Sequence, residues 1–149
     1  MKKTTVFLVL VICLTLAGCS GRTAIGADAF SETMESLGYE ILDITDNYDE
    51  EGVSSVLLAI KDDYQIEFFE LASTELAVSS YNYNVDIVES YNSLTSAHTS
   101  ATVSNYSFYT LSTAEDYYVV SRVDNTFIYA HVPSAHKDEA GAAIKELGY

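Results

Sequence analysis

Two dipeptides constrain this chain more than any other feature: Asp62-Asp63 and Asp124-Asn125, each set between two runs rich in β-branched and aromatic residues. Val53 to Ile60 and Tyr64 to Leu71 flank the first, and Asp116 to Val123 and Thr126 to Val132 flank the second. Asn tolerates the positive φ of a tight turn, and a two-residue loop fixes the register of the hairpin it closes. In the first hairpin Leu57 then faces Phe68 and Ala59 faces Ile66, and this side suits a core. Val56, Leu58 and Ile60 share the other side with Phe69, Glu67 and Gln65. In the second hairpin Arg122 faces Phe127, Val120 faces Tyr129 and Tyr118 faces His131.

Helical spacing surrounds these hairpins. Ala27, Phe30, Met34 and Leu37 recur at 3-4-3 intervals and predict a helix over 27–37. Gly38 ends it as a left-handed cap, with Tyr39 folding back on Met34. Ser73 is placed to cap a second helix, with Glu75 in its first turn. Its apolar stripe is Val78, Tyr81, Val85 and Val88, with Ala77 and Tyr91 beside it and Asn82, Asp86, Glu89 and Ser93 on the wet face. A third helix from Ser134 carries Ala140, Ala143, Ile144 and Leu147 and closes on Gly148-Tyr149, so Leu-Gly-Tyr occurs twice as a shared cap.

Tyr39 to Thr45 reads as a strand, 46–52 as an acidic loop, Thr95 to Ala101 as a Ser/Thr-rich loop around His98, and Thr102 to Leu111 as a strand. The order αβββαβββα predicts an α+β fold of antiparallel meander strands with helices packed on one face. It occupies a single domain over 27–149. The halves form a loose repeat of helix plus meander.

The N-terminus carries an address. Met1-Lys2-Lys3 precedes an uncharged apolar run ending Leu16-Ala17-Gly18-Cys19, a signal-peptide pattern too short to span a membrane. Leu-Ala-Gly-Cys resembles the bacterial lipobox, and the resemblance implies cleavage after Gly18 and a diacylglycerol thioether on Cys19. Residues 1–18 are then the signal and 19–26 a lipidated tether. The lipobox, the stretch Tyr117-Tyr118-Val119-Val120-Ser121-Arg122-Val123-Asp124-Asn125-Thr126-Phe127-Ile128-Tyr129-Ala130 and the closing Lys145-Glu146-Leu147-Gly148-Tyr149 resemble small uncharacterised lipoproteins of Gram-positive, Clostridia-like bacteria. That resemblance implies an address and a size. It brings no activity and no catalytic residues.

Charge narrows the function classes. The chain has a formal net charge of −15, and removal of a signal bearing two lysines makes the remainder more acidic. Nucleic-acid binding needs basic patches and is disfavoured. Cys13 leaves with the signal and Cys19 takes the lipid, so no disulfide is expected and the fold rests on its core.

Three constellations are candidate sites. Asp46, Asp49, Glu50 and Glu51, with Asp43 nearby, could gather around Ca²⁺, although their spacing does not fit an EF-hand. Tyr118, Arg122, Phe127, Tyr129 and His131 share one hairpin face, where an Arg among aromatics could grip a ligand or partner. His98, His131 and His136 are dispersed, with no HExxH pattern. No nucleophile elbow, Walker A loop or Rossmann fingerprint occurs, and no cofactor is expected. The sequence therefore predicts a lipid-anchored, extracytoplasmic cell-membrane protein. Its expected role is non-enzymatic, a binding or assembly domain for an envelope protein or small ligand. The alternatives are an envelope hydrolase using carboxylates and a cation-binding module.

Overall fold

A computed structural model describes residues 21–48 and 51–149. Residues 1–20, which hold the expected signal and Cys19, and Asp49 and Glu50 lie outside the described residues. The elements run α1 (Ala27–Ser36), β1 (Glu40–Asp43), a 3₁₀ turn (Thr45–Asn47), β2 (Val53–Lys61), β3 (Tyr64–Leu71) and α2 (Thr74–Glu89). They continue with β4 (Ala97–Val103), β5 (Tyr106–Ser112), β6 (Asp116–Val123), β7 (Thr126–Pro133), a second 3₁₀ turn (Ser134–His136) and α3 (Lys137–Glu146). The strands form one antiparallel sheet in the order β1-β2-β3-β7-β6-β5-β4.

Both hairpins pair as their turns dictate. Leu57 lies opposite Phe68 and Ala59 opposite Ile66. Arg122 lies opposite Phe127, Val120 opposite Tyr129 and Tyr118 opposite His131. Asp62 and Asp124 each take a positive φ, 52° and 48°, the left-handed conformation that a two-residue turn requires. The two Leu-Gly-Tyr segments cap their helices identically. Gly38 (φ 84°) and Gly148 (φ 88°) are left-handed. The amide of Tyr39 donates to the Met34 carbonyl, and that of Tyr149 donates to the Ile144 carbonyl.

Three expectations are corrected. Residues 97–101, read as loop, belong to edge strand β4, and the strand read as 102–111 is broken by a turn at Ser104-Asn105. Ser104 sits at φ 55°, and Asn105 is held from a distance. Its side-chain amide donates to the Arg22 carbonyl and to the Asp124 carboxylate. The order is therefore αβββαββββα.

The second correction concerns the helices, which cover both faces of the sheet. Phe30 and Met34 of α1 and Ala140, Ala143 and Ile144 of α3 pack on Leu57, Ala59, Ile66, Phe68, Ile128, Ala130 and Val132. The Phe30 ring stacks on Phe68 at 4.7 Å, and burying an aromatic of this size stabilises by roughly 2–3 kcal/mol. On the other face α2 places Ala77 against Leu71 and Phe127, and Tyr81 and Val88 against Tyr109, Leu111, Tyr118 and Val120. Val78, expected in that buried stripe, is 37% exposed, and Ala77 takes the inward position. Both parities of β6 and β7 are apolar enough to need cover, so a single helical layer leaves half of them wet.

The third correction concerns the repeat. Each meander runs inward to the sheet centre, where β3 pairs antiparallel with β7. A rotation relating two such meanders has its axis normal to the sheet and keeps their preceding helices on one face. Because α1 and α2 lie on opposite faces, no rotation relates the halves.

Candidate functional site

The sequence-predicted hairpin face is assembled but largely covered. Tyr118, Arg122 and Phe127 lie buried on the α2 side of the sheet, Tyr129 is half-buried and His131 is exposed. Arg122 is 5% exposed. One guanidinium nitrogen donates to the Asp124 carbonyl and another to the Ser107 hydroxyl, while its Nε has no partner among the described residues. Among the described residues this buried cation thus grips backbone and hydroxyl oxygens. At the open end of the face His131 stacks on Tyr118 at 4.4 Å and pairs with Asp116 at 2.9 Å. Tyr129 and His131 border a groove of about 450 Å³ shared with Asp62, Asp63 and Glu67.

Of the acidic-loop residues, Asp46 and Glu51 are exposed, and Asp49 and Glu50 are not among the described residues. The Asp43 carboxylate serves its own loop by accepting from the Thr45 amide at 2.9 Å, and hydrogen bonds from Thr45 hold its carboxyl below the usual range. His98 stacks on Tyr109. His136 stands just before α3, beside Asp63 and Glu139.

The concavity best suited to a small ligand was not singled out by the sequence. It lies between α3 and strands β5 and β6 and encloses about 300 Å³. Alternation along the strands turns Tyr106, Phe108 and Thr110 of β5 and Tyr117, Val119 and Ser121 of β6 toward it. Gly141, Ile144 and Lys145 of α3 form the opposite wall, and Arg22 and Tyr149 close one end. A predominantly apolar, aromatic lining with a few convergent polar groups is the usual make-up of a small-molecule site. The wider groove at Tyr129 has three carboxylates on its walls, which disfavour an anion.

Gly141 lies on the cavity wall. A Cβ at that position would meet only the Tyr117 hydroxyl, 4.0 Å away. Glycine inside a helix costs about 1 kcal/mol relative to alanine, so α3 gives up helix stability at a position on the cavity wall.

The charge at its rim is unusual for this chain. Five Lys and Arg residues follow Cys19, against 22 acids. Two of the five line this cavity: the Arg22 guanidinium lies 3.5 Å from the Tyr106 ring centroid, and Lys145 lines the wall. A third, Lys137, sits 5.1 Å from the centroid of the lining Tyr117 ring and donates to the Ser112 hydroxyl. Burial pushes the phenols of Tyr106 and Tyr117 up, with Arg22 opposing at Tyr106 and Asp138 adding at Tyr117. Both rings therefore stay neutral around physiological pH and present hydroxyl donors.

The arrangement can hold an amphipathic anion: aromatic walls for its body and cations for its charged end. A hydrolytic pair of carboxylates needs one member held protonated. Hydrogen bonds from Thr45 and from Lys61 hold Asp43 and Glu139 low, the direction opposite to a general acid's. The sequence clue to the cavity was the scarcity of cations, which made each one informative, together with a glycine inside the third helical stripe. No family model, curated protein or solved structure matches this chain.

Proposed function

We propose that this chain is a lipid-anchored, extracytoplasmic domain of the cell membrane that binds a small amphipathic anion without converting it. The observation that carries the binding reading is that Arg22 and Lys145 both line an aromatic-walled cavity in so acidic a chain, with Lys137 close to its Tyr117 wall. The anchoring reading rests on the lipobox-like Leu16-Ala17-Gly18-Cys19 and the apolar run before it. Among the described residues no helix is long and apolar enough to cross a membrane. Cys19 precedes Arg22 by three residues, a reach of about 11 Å at full extension. A lipid at Cys19 therefore holds the cavity close to the membrane surface.

Two measurements test this. Metabolic labelling with a fatty-acid analogue is expected to tag the wild-type product and not Cys19→Ser. A label that persists in that variant refutes the anchor. NMR titration with aryl and alkyl carboxylates is expected to shift Tyr106, Tyr117 and Ile144 resonances, with uncharged amide isosteres at least tenfold weaker. Equal affinity for acid and amide, or shifts that survive Gly141→Leu, refutes the anion site.

A further inference from the structure

At the tip of the β2–β3 hairpin the turn meets the start of α3 around His136. One carboxylate oxygen of Asp62, one ring nitrogen of His136 and one carboxylate oxygen of Glu139 all lie within 4.8 Å of one another. We infer that Asp62, His136 and Glu139 form a binding site for a divalent transition-metal ion of the zinc class.

The geometry fits ligand spacing better than hydrogen bonding. His136 Nδ1 and Glu139 Oε2 are 3.7 Å apart, too far for a hydrogen bond. Two ligands on one tetrahedral zinc ion lie about 3.3 Å apart when each bond is about 2.0–2.1 Å. An ion central to three atoms no more than 4.8 Å apart lies within about 2.8 Å of each, so a shift of roughly 0.7 Å per side chain completes the bonds. Asp62 and Glu139 are exposed and His136 only partly buried, so all three have room to move.

The surrounding groups hold these ligands as outer partners do in metal sites. Asp63 Oδ1 lies 3.3 Å from His136 Nε2, close enough to orient the ring once Nδ1 takes the ion. Lys61 Nζ takes the other Glu139 oxygen at 2.6 Å, and the Tyr64 hydroxyl donates to Oε2 at 3.4 Å. Tyr64 in turn bonds the Tyr39 hydroxyl at 2.6 Å, which ties the site to the core. The His136 ring rests against Tyr64, centroids 5.1 Å apart.

Charge favours a cation. Asp62, Asp63 and Glu139 contribute three negative charges. Lys61 contributes one positive, and the start of α3 roughly half of one, so the balance stays negative. The imidazole selects for zinc-class ions over Ca²⁺, which takes oxygen ligands. The sequence hid this site because the turn residues and the helix start are more than 70 positions apart, and only the fold brings them together.

The test is calorimetric titration of Zn²⁺ into the full chain carrying Cys13→Ser and Cys19→Ser, since thiolates bind zinc themselves. One ion per chain is expected, with a rise in melting temperature at about 100 µM Zn²⁺ and none with Ca²⁺. His136→Ala, Glu139→Gln and Asp62→Asn are each expected to weaken zinc at least tenfold. Asn keeps the left-handed turn at position 62, so that variant separates ligation from folding. His131→Ala removes the other His–carboxylate pair, His131 with Asp116, and is expected to change nothing. Absence of heat at that concentration, binding that survives His136→Ala and Glu139→Gln, or binding lost in His131→Ala overturns the assignment.

Discussion

The guanidinium of Arg22 lies flat enough over the Tyr106 ring to bring its carbon 3.5 Å from the centroid, while one of its nitrogens donates to the Gly148 carbonyl at 2.8 Å. The Arg22 backbone also exchanges two hydrogen bonds with the Asn105 side chain. The segment before α1 is thereby fastened to the β4–β5 turn and to the C-terminus, at the mouth of the cavity. An exposed cation–π contact contributes about 0.5–1 kcal/mol. Arg22→Ala is expected to lower stability by about 1 kcal/mol in urea denaturation and to weaken carboxylate binding at least tenfold. Arg22→Lys keeps the charge and loses the planar stack, so it is expected to recover only part of the binding.

Gly141 offers a pair of opposite outcomes. Gly141→Ala adds a Cβ into open space and is expected to raise stability by about 0.5–1 kcal/mol. Gly141→Leu is expected to leave the circular dichroism spectrum unchanged and to fill the cavity, abolishing ligand shifts. A Gly141→Ala variant less stable than wild type shows that the glycine serves helix packing rather than the cavity.

Arg122 is a buried cation with imperfect partners. Burying a charge costs several kcal/mol unless its partners repay it. Arg122→Met keeps an unbranched stem of similar reach and is expected to be neutral or stabilising in thermal denaturation. Arg122→Ala leaves a cavity under α2 and is expected to cost about 2–4 kcal/mol. Equal losses in both variants point to the guanidinium contacts with Asp124 and Ser107 as the stabilising element.

Alkaline pH is expected to weaken the fold. Burial pushes the phenols of Tyr129 and Tyr149 up to about 12, with Glu67 adding at Tyr129 and the Thr126 hydroxyl opposing at Tyr149. In the unfolded chain a tyrosine ionises near pH 10. Between about pH 10 and about pH 12 the unfolded state has released protons that these two rings retain in the folded state, so their contribution to stability falls as pH rises through that window. Urea midpoints across this range check the slope, and Tyr129→Phe is expected to flatten it. A midpoint independent of pH there places both rings in water.

The hairpins were legible because their information is local. Asp62 and Asp124 set the turn, and the turn sets every pair up the ladder. Gly38 and Gly148 stop their helices for the same reason, a conformation only a few residues accept. Ser73 caps α2 as its side chain predicts, accepting from the Leu76 amide at 3.2 Å.

Strand β4 was not legible. Ala97–Val103 holds small and polar residues that read as loop, and it is a strand because β5 offers a ladder to pair with. The face covered by α2 was equally hidden. Alternation separates the two sides of β6 and β7, but both sides carry apolar residues, and the pattern does not say which one receives which helix.

The sequence by itself determined the three helices and their glycine caps and the registers of the two hairpins, because turn conformation, helical period and strand alternation act within a few residues. The tertiary structure alone decided strand β4, the cover on each face, the meeting of Arg22 and Lys145 at one cavity, and the meeting of Asp62 with His136 and Glu139. Those juxtapositions join residues tens of positions apart, and they exist only once burial of both sheet faces has fixed where each helix lies.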